Sequence, residues 1–118
     1  MQHRIMTHQH LAASTAELEA LPLPLLLSRS QFSTLYDLLR FETLRGHDRK
    51  TVHPLAIPTL IQRVDWLLSS STVLKDSLKQ QGAEATYSSP ALKDWAIKLK
   101  TLRELADYAR VAGTPLCW

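Results

Sequence analysis

The C-terminal third of the chain reads Leu78-Lys79-Gln80-Gln81-Gly82, a short polar link, Ser88-Ser89-Pro90-Ala91-Leu92, and finally Ala112-Gly113-Thr114-Pro115. Serine before proline is typical of a helix start, because serine caps the first turn and proline needs no amide partner there. Glycine past a helix end enters the left-handed conformation without a steric penalty, and Pro115 prevents the helix from resuming. The stretch therefore predicts a helix that ends at Gly82 and another over residues 90–111.

Each of the chain's 3 glycines, at positions 46, 82 and 113, ends a run in which apolar residues recur at helical spacing. This pattern predicts an all-α fold of about four helices whose last two pack as an antiparallel helical hairpin. The helices are expected over residues 15–21, 31–45 (capped by Ser30), 58–81 and 90–111. Leu67, Trp95 and Leu99 are expected in the buried seam of the hairpin.

Two features could interrupt this helical pattern. Residues 69–72 read Ser-Ser-Ser-Thr, which lowers helix propensity, but the apolar phase continues across them and favours a single helix. Convincing strand alternation is missing, and residues 23–27 are the one candidate for a strand.

The composition fits one domain in a chain of 118 residues, with 45% hydrophobic and 21% charged residues. Residues 1–13 are polar and His-rich and are expected to form a flexible tail, with a single helical domain over residues 14–118. No apolar run is long enough to cross a bilayer, so no membrane association is expected. A single cysteine, Cys117, excludes an intrachain disulfide and, with no signal-peptide pattern, favours a cytoplasmic location.

Basic residues form two candidate phosphate-binding groups in a chain of net charge +3. Arg45, Arg49 and Lys50 lie in or beside the loop after the second helix, where they could contact a nucleic-acid backbone. Lys93 and Lys100 are seven residues apart and therefore share one face of the last helix. In both groups the alternative is a solvated surface without a ligand.

Tryptophans give the candidate partner-binding residues. Trp66 lies beside the apolar stripe of its helix, in the core or at an interface. Trp118 with Leu116 could bind a partner, or Trp118 could fold back on its own chain.

Neither metal nor catalytic chemistry is indicated. His3, His8 and His10 resemble a loose metal-binding tract, but no cysteine or paired carboxylate completes a ligand set. No nucleophile-and-base motif and no glycine-rich phosphate loop occurs. We therefore expect a non-enzymatic protein without cofactors.

The C-terminal half resembles the small subunits of bacteriophage terminases, in residues 78–82, 89–92 and 113–115 and in Leu102, Leu105 and Ala106. This resemblance implies a non-enzymatic, homo-oligomeric factor for viral DNA packaging, which binds duplex DNA and passes it to a packaging ATPase. Arg45, Arg49, Lys50, Lys93 and Lys100 would then contact phosphates.

Two other functions remain open. One is a small helical protein-interaction module, a regulator, inhibitor or adaptor from a mobile element, which binds no nucleic acid and makes a helix-in-groove contact. The other is a dimeric DNA-binding regulator.

Overall fold

The computed structural model describes residues 2–7, 10, 21–45, 50–80 and 89–118. Four strands occur in this part of the chain: β1 (Gln2–Thr7), β2 (Leu25–Ser28), β3 (Thr51–Val52) and β4 (Leu116–Cys117). The α-helices are α1 (Arg29–Leu38), α2 (Ile57–Leu68), α3 (Ser71–Gln80) and α4 (Ser89–Ala112). Two 3-10 turns, Phe41–Thr43 and Pro54–Ala56, complete the order.

The strands form one antiparallel sheet in the order β2-β1-β4-β3, so the predicted all-α fold is wrong and the fold is mixed α/β. Met6 of β1 lies opposite Cys117 of β4, and Thr51 of β3 lies opposite Cys117 on the other side. The sheet thus joins the two ends of the sequence. Strands this short give little alternation to detect, which is why sequence periodicity missed them.

Burial alternates along β1 and β2 in a shared register. Ile5 lies opposite Leu25 and both are buried, whereas Arg4 lies opposite Leu26 and both are exposed. One face of the sheet therefore contributes to the core, as period-2 alternation requires.

Two predicted segments turn out to be strands. Gln2–Thr7, within the predicted tail, form β1, and residues 8–9 and 11–13 lie outside the described residues. Most of the candidate strand at residues 23–27 is part of β2.

Helix α1 begins and ends earlier than the predicted helix 31–45. Ser28 is the cap rather than Ser30, in a capping box with Gln31: the Gln31 amide donates to Ser28 Oγ over 3.2 Å. The helix ends before Arg40, whose φ of 55° lies in the left-handed region. The predicted helix 15–21 lies mostly outside the described residues.

The single helix predicted over residues 58–81 is wrong, since it is divided into α2 and α3. Ser70 begins the second helix, because its Oγ accepts from the Val73 amide over 3.1 Å. A serine in this position satisfies an amide that the new helix leaves free.

The last helix, whose start was predicted from Ser89 and Pro90 and whose end from Gly113, is confirmed as α4. Gly113 has a φ of 68°, and the Thr114 amide donates to the Ala109 carbonyl over 3.0 Å. The Gly113 amide donates to the Arg110 carbonyl over 3.4 Å, which completes a Schellman motif.

Helices α2 and α4 pack against each other. Asp65 pairs with Arg103, and Leu68, further along α2, lies near Ala96, earlier along α4, so the two helices run antiparallel. Leu67, Trp95 and Leu99 are buried between the layers, as predicted. In the part of the chain that the structure describes, no helix has the length and apolar character to cross a membrane.

Candidate binding cleft

A surface cleft of about 420 Å³ opens where α2 ends, α3 begins and the first half of α4 passes. It is lined by apolar, hydroxyl and lysine side chains: Leu67, Leu68, Ser70, Ser71, Leu74, Leu92, Lys93, Ala96 and Lys100. Its size falls in the range of sites that bind small molecules or parts of a partner.

The break between α2 and α3 lies at this cleft. Ser69 and Ser70 separate the two helices, and residues on both sides of the break line the cleft. The Ser69 hydroxyl hydrogen-bonds to the Trp66 carbonyl and stabilises the end of α2. The boundary between the two helices and the cleft beside α4 therefore lie at the same place in the fold.

Apolar side chains in the cleft keep part of their surface open to solvent. Leu67 and Leu74 are buried, but Leu68, Leu92 and Ala96 are half-buried at the edge of the core. Folding leaves this apolar surface of the cleft exposed to water, and a ligand that binds there can bury it.

Lys93 and Lys100 lie on the α4 side of this cleft and are exposed. Among the described residues neither has a hydrogen bond or an ion pair, in contrast to Lys98, which pairs with Asp94 at 3.2 Å. The two ammonium groups therefore remain available to an anionic partner.

The other cations of α4 are used within the fold. Arg103 Nε donates to Asp65 Oδ1 and Arg110 Nη2 to Asp107 Oδ1, each over 2.7 Å. The hydrogen bond from Arg110, together with the charges of Arg110 and Arg103, lowers the pKa of Asp107, against a smaller desolvation effect in the opposite direction.

Of the predicted phosphate-binding residues that the structure describes, only Lys93 and Lys100 line this cleft. Arg45 lies at a bridge to Val52, and the Lys50 carbonyl accepts from the Trp118 amide over 3.0 Å, so both lie beside β3. Arg49 lies outside the described residues. The described members of the two candidate groups therefore lie at different places in the fold, beside β3 and on α4.

The predicted partner-binding residues also separate. Trp66 is 60% exposed on the outer side of α2, whereas Leu116 is 0% exposed in β4. Trp118 folds back: its ring stacks on Phe41 at 5.3 Å between centroids. Of these residues, only Trp66 presents a large apolar surface to solvent.

The histidine tract contributes a structural residue. The Thr7 amide donates to His10 Nδ1 over 3.2 Å, and His10 Nε2 lies 2.7 Å from the Pro22 carbonyl oxygen. His8 and the side chain of His3 lie outside the described part. Within the described ranges no group of three or more His, Cys, Asp or Glu could hold a metal ion.

The apolar lining of the cleft was not predicted, because Leu68 and Leu74 were expected on one continuous helix. The available signal was the serine run at residues 69–71, which marks the helix boundary.

Compared with protein-family models, curated proteins and solved structures, the chain gives no match in any of the three.

Proposed function

We propose that this chain is a non-enzymatic protein-interaction module, whose cleft between α2, α3 and α4 receives apolar side chains of a partner protein. The observation that supports the proposal is the combination, in one concave surface, of half-buried Leu68, Leu92 and Ala96 with two lysines that lack partners among the described residues.

The position of this cleft between packed helices favours a helical segment as the occupant. A groove between packed helices can take the apolar face of an amphipathic helix, whose side chains at i, i+3, i+4 and i+7 enter it. Among the described residues the lining contains leucine and alanine but no acidic side chain and no histidine, a composition that suits binding rather than acid–base chemistry.

A substitution that fills the cleft with a larger side chain tests this function. Ala96→Phe places a large ring in the cleft, and Ile97→Phe, at the neighbouring exposed position of α4, is the matched control. The probe is a labelled amphipathic helical peptide of about 18 residues with one leucine stripe and an uncharged polar face, and its binding is followed by fluorescence anisotropy.

We expect the original protein and Ile97→Phe to bind this peptide, and Ala96→Phe to bind it at least about tenfold more weakly. Circular dichroism checks that both variants keep the fold. Equal binding by both variants, or no binding by the original protein, would overturn the proposed function.

Binding to duplex DNA is a second candidate function, and one observation favours it. Lys93 and Lys100 are exposed on one side of α4 and have no ion pair among the described residues, in a chain of net charge +3.

These two lysines are compatible with the proposed resemblance to a packaging factor, which also implies a homo-oligomer and a packaging ATPase as partner. Titration with duplex DNA at about 50 mM and about 200 mM salt tests it, since phosphate contacts release counterions and weaken steeply with salt. A mass measurement in solution tests the oligomer. Absence of salt-sensitive binding would remove this candidate.

A further inference from the structure

We infer that the partner segment of the cleft is an acidic amphipathic helix, with carboxylates about two turns apart beside its apolar stripe. This inference rests on the proposed function and adds the charge and periodicity of the occupant.

The spacing of the lysines carries the inference. Lys93 and Lys100 are seven residues apart on one helix, which places their backbones about 10.5 Å apart along the helix axis. Glu or Asp residues seven apart on a second helix have the same separation. Two ion pairs can therefore form at once when the helices lie side by side.

The carboxylates near Lys93 and Lys100 leave both lysines available to an acidic partner. Asp94 pairs with Lys98, and Asp65 with Arg103, so these carboxylates are already engaged. Glu104 follows Lys100 by four residues, yet no ion pair joins them among the described residues. An incoming carboxylate therefore meets little competition at either lysine.

The apolar lining of the cleft favours a peptide over a nucleic acid as the occupant. Half-buried Leu68, Leu92 and Ala96 offer apolar contact beside the cations. A phosphate backbone would pair with the lysines but would leave this apolar surface unused. The leucine stripe of an amphipathic helix satisfies both parts of the site.

Three helical peptides with the same leucine stripe test the inference. They differ only in the two positions that flank the stripe seven residues apart, which carry Glu, Gln or Lys. Each is titrated against the original protein, the variant K93A/K100A and the matched control K75A/K79A, which removes two exposed lysines of α3 that do not line the cleft.

We expect the Glu peptide to bind the original protein about fivefold more tightly than the Gln peptide, since two partly exposed ion pairs contribute modestly. The preference should disappear in K93A/K100A, persist in K75A/K79A and weaken at high salt. In K93E/K100E the Lys peptide should become the preferred ligand, an exchange that loss of structure alone cannot produce.

The outcomes separate the two proposals. Equal binding of the three peptides, still abolished by Ala96→Phe, would overturn the acidic partner and keep the interaction module. Preference for the Glu peptide that K75A/K79A removes and K93A/K100A retains would also overturn it. Binding of none of the peptides would overturn both.

Discussion

The indole of Trp118 stacks on the ring of Phe41, with centroids 5.3 Å apart and 30° between the ring planes. Phe32 and Tyr36 of α1 complete an aromatic cluster around the indole, with centroids 5.9 and 6.2 Å away. The cluster attaches the C-terminal strand β4 to α1 and to the 3-10 turn that follows it.

Replacement of Trp118 by alanine should lower the free energy of unfolding by about 2 kcal/mol, because the variant loses buried aromatic area and three ring contacts. Urea denaturation followed by circular dichroism measures the change. Trp66→Ala is the control: its 60% exposed side chain should cost less than about 0.5 kcal/mol. A larger loss for Trp66 than for Trp118 would contradict this view of the cluster.

Arg63 of α2 should be a stabilising residue, because it satisfies backbone carbonyls at the end of α1. Its Nη1 donates to the Leu39 carbonyl and to Thr43 Oγ1, each over 2.9 Å. Arg63→Met keeps most of the aliphatic length but removes these donors, and should cost about 1–2 kcal/mol.

Asp65 and Arg103 supply the comparison for that measurement. Their ion pair is 2.7 Å long but about half exposed, so a double-mutant cycle should give a coupling of about 0.2–1 kcal/mol. If Arg63→Met cost no more than this coupling, its contacts with α1 would stabilise the fold no more than an exposed ion pair does.

Acid should weaken the contribution of the Asp107–Arg110 pair. The hydrogen bond from Arg110 lowers the folded-state pKa of Asp107 below that of the unfolded chain, so folding favours the ionised carboxylate. The contribution is complete above the unfolded value of about 3.9 and disappears as pH falls from there through the lower folded pKa.

Carbon-13 NMR of the Asp107 carboxyl group measures this directly. We expect a midpoint below the usual range in the original protein and a return toward that range in Arg110→Gln. An unchanged midpoint in Arg110→Gln would show that Arg110 is not the main cause.

Local signals explain which parts of the fold could be predicted. The end of α4 at Gly113 depends on a short-range preference for the left-handed region, and the burial of Trp95 and Leu99 follows from helical periodicity. Both require only neighbouring residues in the sequence.

The sheet could not be predicted in this way, because its pairings are non-local. Met6 meets Cys117 across nearly the whole chain, and β3 and β4 contain two residues each. On β1 the inward position next to Ile5 is Thr7, whose polar side chain conceals the alternation. The cleft was not predicted for a related reason: its residues on α3 and α4 come together only in the folded chain.

Ser70 should control the position of the helix boundary that forms the cleft. Its Oγ accepts from the Val73 amide, so Ser70→Ala removes the cap of α3 and should lower the free energy of unfolding by about 1 kcal/mol. Ser70→Asn retains an acceptor at the same place and should recover most of this loss.

The neighbouring hydroxyl provides the control for the cap. Ser71 is exposed and has no hydrogen bond from its side chain among the described residues, so Ser71→Ala should change stability little. Thermal denaturation of the three variants ranks them, with Ser70→Ala lowest. If Ser70→Asn were as unstable as Ser70→Ala, the boundary would depend on the packing of Leu67 and Leu74 rather than on the cap, because only the cap distinguishes these two substitutions.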